Sequence, residues 1–190
     1  MNTGFSVGTV AEAPKAELSY DRRTIWLHWA TAVLMTVLWG IAQIIDLFPK
    51  GAPKISARSV HIIFGLVLGV LLVMRIGWRS RAGRKLPLAN PGVPGYIARI
   101  VHLTLYAGLV AVIVLGVVNA WARGDSVFGL FHIPKLLPAN TQLKPTVEYL
   151  HKTFANVLVI LAAAHALTAV VHHFVLRDGV LRRMLPGSNE

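Results

Sequence analysis

Cysteine is absent from all 190 residues, which excludes disulfides and every thiolate-held metal centre or covalent thioether attachment. Any metal cofactor must therefore be held by histidine. Charge is also scarce, at 14% of residues against about 25% in ordinary soluble domains. Acids are rarest, with 8 Asp and Glu against 19 Lys and Arg. With 55% of the chain hydrophobic, a soluble globular protein is excluded and a membrane protein is indicated. The net charge of +11 does not point to nucleic acid. The basic residues flank apolar runs and form no patch with interleaved aromatics, which is the pattern of topology signals.

What the chain does have is four apolar runs long enough to span a bilayer, at about residues 25–45, 60–78, 100–121 and 149–175. They predict an all-α membrane protein, a four-helix bundle filling one domain over residues 21–186. Breakers mark the connections: Pro49, Gly51 and Pro53, then Pro87, Pro91, Gly92, Pro94 and Gly95, then Pro134, Pro138 and Pro145. In the third connection, residues 128–134 (FGLFHIP) are expected to form a short interfacial helix. Residues 1–20 are polar, contain no uninterrupted apolar core and predict a disordered tail, not a cleaved signal peptide; residues 187–190 form a short C-terminal tail.

Lysines and arginines are divided twelve to seven between the two sides. By the positive-inside rule both termini are expected in the cytoplasm. The seven outer cations meet only Asp46, Asp125 and Glu148, leaving that end at +4.

Within this frame the histidines are the unusual feature. His151 and His165 are 14 residues apart, so on one helix they lie within about 40° of the same face and about 21 Å apart along the axis. A histidine inside a membrane helix is costly and points at a partner within the bundle. Under the expected topology His61 shares the outer level with His151, and His28 shares the inner level with His165. Two imidazoles facing each other at each of two depths suit two bis-histidine haems b, the alternative being hydrogen-bonded core histidines. Zinc would gather three or four ligands, often with carboxylates, at one depth, and the spans are nearly free of acids. Gly40, Gly65, Gly69, Gly108 and Gly116 would give a macrocycle room, or would serve close helix packing through small-xxx-small faces such as Gly65-xxx-Gly69.

The ordered motifs converge on one family. Tyr20-Asp21-Arg22 through Leu27-His28-Trp29, Val60-His61 with Gly65, and the exit Met74-Arg75 to Trp78-Arg79 resemble bacterial cytochrome b561. So do His102-x-x-Leu-Tyr106, Leu150-His151, Ala164-His165-Ala166, Val171-His172-His173 and the closing Arg177-Asp178 to Met184, the likeness extending over about residues 20–186. The resemblance implies two haems b on His28/His165 and His61/His151. It further implies, from one characterised type, electron transfer from superoxide to ubiquinone. More distant members imply instead a membrane anchor and electron carrier for a partner dehydrogenase or hydrogenase. A non-redox four-helix membrane protein is the reading of another class.

Residues around the four histidines carry paired readings. His172, seven residues beyond His165 and so about 20° from its face, is either a hydrogen-bond partner for a quinone carbonyl and proton donor to it, or an interfacial side chain. His102, with Arg99 and Tyr106 on its face, supports a propionate or the quinone, or simply ends a helix. Arg75 and Arg79, like Arg22 and Arg23, pair with propionates or signal topology. His173 faces lipid or headgroups. The positive outer end would attract an anion such as superoxide, an effect that salt weakens, or be an ordinary solvated rim. His132 is assigned nothing.

Overall fold

The computed structural model describes residues 19–87, 89, 92–135 and 142–186. Most of the expected N-terminal tail and the whole of the C-terminal tail lie outside the described residues. Four helices are long and apolar enough to cross a membrane: α1 (Arg22–Ile44, continued by a 3-10 turn Ile45–Leu47), α2 (Ala52–Arg81), α3 (Val93–Arg123) and α4 (Leu143–Val171, continued by a π-helical turn His172–Leu176). The last three begin about two turns before the apolar runs do. Pro53, Pro94 and Pro145, expected to mark loops, lie in the first turns of α2, α3 and α4, where a missing N–H costs nothing. Gly51 and Gly92 precede two of them at φ 106° and 85°, conformations open only to glycine. At 30 residues α2 is about 45 Å long and extends past a hydrocarbon layer of about 30 Å.

The expected interfacial helix at residues 128–134 is not formed. Ser126–Val127 (β1) pairs antiparallel with Phe131–His132 (β2). The turn between them carries φ 50° at Phe128 and 74° at Gly129, closed by Leu130 N–H donating to Val127 O at 2.9 Å. Positive φ at both central residues is a type I′ geometry, which a helix cannot contain. This hairpin is pinned to α2 by Ser59, whose fully buried Oγ donates to backbone oxygens and accepts from Phe128 N–H at 2.8 Å.

The bundle is two helical hairpins. α1 packs chiefly on α2 and α3 on α4, while α1 meets α4 and α2 meets α3 far less. Few side chains are fully buried. The core is a layer of Leu38, Leu68, Leu72, Leu109 and Leu158 drawn from all four helices. The outer faces expose large apolar residues, such as Val70, Val73, Leu103 and Ile160, as a lipid-facing surface does.

One end of the first hairpin is closed by Asp21. Its carboxylate accepts from Thr24 N–H at 3.0 Å and Thr24 Oγ1 at 2.7 Å, capping α1. It also accepts from Trp78 Nε1 at 2.8 Å and Arg84 N–H at 3.0 Å at the end of α2. Burial alone would raise this carboxyl, but the four donors prevail and hold it at about 2. The C-terminal segment docks beside it, through Trp29 Nε1 donating to Met184 O at 2.7 Å and Tyr20 N–H to Arg183 O at 3.1 Å.

Candidate functional site: histidines across the hairpin seam

The two hairpins contribute opposite histidines. His28 and His61 stand on α1 and α2, and His102, His151 and His165 stand on α3 and α4. α4 is continuous through both His151 and His165, so the spacing expected from the sequence holds. Leu158 lies midway, seven residues and about 10 Å from each. The leucine layer therefore divides the seam into two histidine levels.

At one level His61 faces His151 with ring centroids 6.2 Å apart and planes at 90°. Two imidazoles bound on opposite sides of one metal, with metal–nitrogen bonds of about 2 Å, have centroids about 6 Å apart. His151 Nδ1 lies 3.1 Å from Val112 O. A carbonyl only accepts, so Nδ1 carries the proton and Nε2 keeps the lone pair a metal needs. Gly116 makes room for that ring, since a Cβ there would lie 3.0 Å from His151 Cε1. Among the described residues Asn119 Oδ1, one turn beyond Gly116, is buried without a hydrogen-bond partner, and buried His61 Nδ1 makes no well-aligned hydrogen bond, the Leu38 backbone lying beside its ring. Gly40 and Gly65 border open space, whereas Gly69 and Gly108 pack against Ile113 and Leu158 of facing helices. The small residues thus divide, Gly69 serving packing and Gly65 not.

The other level holds His28, His102 and His165. His102 and His165 meet edge to face at 5.2 Å, and His28 is within electrostatic reach of both. Arg75 Nη2 donates to His28 Nδ1 at 2.8 Å and its guanidinium lies 4.9 Å over the Tyr106 ring. His28 is thereby the opposite tautomer from His151, with its proton on Nε2. Arg79 stacks on Tyr20 at 5.0 Å and Arg23 on Trp78 at 4.7 Å, while Arg22 is exposed. His172 lies beyond, with Nδ1 donating to Asp178 Oδ2, a partner the sequence reading missed. His173 sets its ring on Phe174, and His132 is exposed in β2. Among the described residues, no three His, Cys, Asp or Glu side chains cluster as a metal site.

The end bearing His61 and His151 carries a feature invisible in the sequence. Lys54, Asp46, Lys152, Glu148, Arg123, Asp125 and Arg58 form one chain of alternating charge at separations of 2.9–3.9 Å that touches all four helices. Four of the seven expected outer cations are thus engaged. Lys50, Lys135 and Lys144 make no ion pair among the described residues.

Comparison with known proteins gives the family. Residues 19–187 match prokaryotic cytochrome b561. The chain is 28% identical over 172 residues to cytochrome b561 homolog 1 of Escherichia coli K12, covering 88% of this chain and 97% of that protein. It is 29% identical over 171 residues to a probable superoxide oxidase of Yersinia pestis (88% and 96% covered). It is 28% identical over 177 residues to cytochrome b562 of Cereibacter sphaeroides (89% and 96% covered). Four spanning helices in two hairpins, with histidines facing each other across the seam, belong to a chain of the prokaryotic cytochrome b561 family, haem b electron carriers of bacterial membranes.

Proposed function

We propose that the chain holds two haems b in the hairpin seam, on His61/His151 and His28/His165, and moves electrons from superoxide outside the inner membrane to ubiquinone near its cytoplasmic face. The observation that carries this reading is the His61/His151 pair, whose 6.2 Å separation and Nε2-ready His151 fit one metal between two rings. The name of the Yersinia relative supports superoxide as the donor. Both termini are cytoplasmic in this reading, following the basic residues.

Bound haem supplies reversible one-electron chemistry at each level. The chain supplies the rest. Val112 O fixes the His151 tautomer. For His28 to coordinate through Nε2, Arg75 must release Nδ1, and the freed guanidinium is then the group for a propionate. Arg79, stacked on Tyr20 at the end of α2, is the second cation at that level. His102 steadies His165. His172, its Nδ1–H held by Asp178, donates from Nε2 in its imidazolium form, giving a hydrogen bond and then a proton to a quinone carbonyl. Two superoxide anions become two dioxygen molecules, and the two electrons with two protons convert ubiquinone to ubiquinol. With four outer cations engaged in ion pairs, attraction of the anion falls to Lys50, Lys135 and Lys144.

The test is haem counting in purified variants, read with the reduced α band of the spectrum. Wild type is expected to hold two haems b, and His151→Leu and His165→Leu one each. Retention of both in either variant refutes the pairing. Superoxide is expected to reduce the haems of the isolated protein; reduction only by an added dehydrogenase would assign the chain to the electron-carrier branch.

A further inference from the structure

Past α4 the chain leaves the membrane by an unusual route. The π-helical turn His172–Leu176 ends at Arg177 in a left-handed conformation, φ 53°. The 3-10 turn Leu181–Met184 follows. The two turns border a cavity of about 410 Å³ lined by His173, Phe174, Arg177, Asp178, Gly179 and Arg182. The single carboxylate in that lining is committed, accepting from His172 Nδ1 and, through Oδ1, from Val180 N–H at 3.1 Å. Arg177 and Arg182 are exposed and make no ion pair among the described residues. Immediately before them Phe174, Val175 and Leu176 are 68%, 71% and 57% exposed, and the spanning segment ends at Leu176.

We propose that this cavity binds the phosphodiester of an anionic phospholipid of the phosphatidylglycerol type, its acyl chains lying along Phe174, Val175 and Leu176. Arginines that merely reach for the interface need no cavity and no second element; here two guanidiniums from separate turns border one space. Planar guanidinium forks match phosphate oxygens two at a time, and the exposed apolar side chains of Phe174, Val175 and Leu176 close the spanning segment just before Arg177. A zwitterionic choline headgroup would bring its own cation toward two guanidiniums and is disfavoured. The site stands independently of the haem and quinone assignments.

Full-length haem-loaded protein, delipidated in mild detergent, is titrated with phosphatidylglycerol and with phosphatidylcholine, and bound lipid is read by native mass spectrometry. Wild type is expected to prefer phosphatidylglycerol. The double variant Arg177→Asn/Arg182→Gln is expected to lose about thirtyfold in that affinity, from two cations near an anionic headgroup, with haem content unchanged. Asn tolerates the left-handed backbone at 177, and Arg182→Gln alone, expected to lose about fivefold, serves if the double variant fails to fold. Equal binding of the two lipids overturns the proposal. So does an equal loss in Arg81→Gln, an exposed helix-end cation outside the cavity. Displacement of the lipid by millimolar inorganic phosphate would make the ligand a free anion and overturn the lipid assignment.

Discussion

Gly116 offers a direct test of the His61/His151 level, because the three nearest atoms a Cβ there would meet all belong to the His151 ring. In Gly116→Ala the new Cβ would lie 3.0 Å from Cε1, against a comfortable carbon–carbon separation of about 3.5–4.0 Å. The ring must yield by about 0.5 Å. If it yields away from Val112, its 3.1 Å hydrogen bond lengthens to about 3.6 Å and is lost, at a cost of about 1 kcal/mol. Overpacking adds about 1–3 kcal/mol, and alanine returns about 0.5–1 kcal/mol of helix preference. The net destabilisation is about 1–3 kcal/mol. Gly108→Ala is the matched control. Its Cβ would also meet an atom at 3.0 Å, but that atom is Leu158 Cδ1, a methyl of the leucine layer and part of no histidine. Its net cost is expected at about 0–2 kcal/mol, with no hydrogen bond lost. Thermal unfolding reads the stabilities, while low-spin EPR and potentiometric titration read the two proposed haems separately. Gly116→Ala is expected to shift one haem signal and leave the other, because the Nδ1 hydrogen bond tunes ligand basicity. An unchanged spectrum in Gly116→Ala, or an equal shift in Gly108→Ala, refutes the placement of His151 as a ligand.

Asp21→Asn removes the anionic acceptor shared by α1 and α2 and is expected to cost about 0.5–2 kcal/mol, read by thermal unfolding at neutral pH. The Asp21 carboxyl is depressed to about 2 in the fold, so its stabilising contribution is present above the unfolded value near 4 and is lost as pH falls from there toward 2. The variant should lack that part of the acid sensitivity; a loss of stability on acidification as large as wild type's would show that other carboxyls govern it. Ser59→Ala deprives the buried Phe128 N–H of its acceptor and is expected to cost about 1–3 kcal/mol, with faster amide exchange in the β1–β2 hairpin; unchanged exchange there contradicts the clamp. Asp125→Ala leaves Arg58 and Arg123 facing each other across the ion-pair chain and is expected to cost about 2–4 kcal/mol, and Arg58→Met in the same molecule should recover part of it. An additive loss in the double variant would argue against the coupling.

The membrane architecture was legible because lipid leaves little choice: each span must be an apolar helix, and four apolar runs are plain to read. The seam histidines were legible for a related reason, since fourteen residues nearly complete four turns and place His151 and His165 on one face of α4. Helix starts were harder. Pro53 and Pro94 look like breakers until it is seen that a first-turn residue has no hydrogen bond to lose. The stretch after α3 was misread because Phe128, Leu130 and Phe131 are apolar enough for an interfacial helix; Gly129 was the available sign of a reversal, but positive φ at Phe128 leaves no trace in sequence. The bonds from Arg75 to His28 and from Asp178 to His172, and the seven-membered charge chain, join residues whose partnership depends on helix rotation and loop path, which composition does not encode.

The leucine layer has a consequence for protons. Its five buried side chains, between the two histidine levels, carry no atom that can accept or relay one. In the proposed reaction, electrons that cross this layer from the His61/His151 level toward the other, with protons taken up on the far side, add to the membrane potential and are opposed by it. The turnover rate should then depend on the voltage across the bilayer, by an amount set by how much of the field falls between Leu158's two flanking histidines.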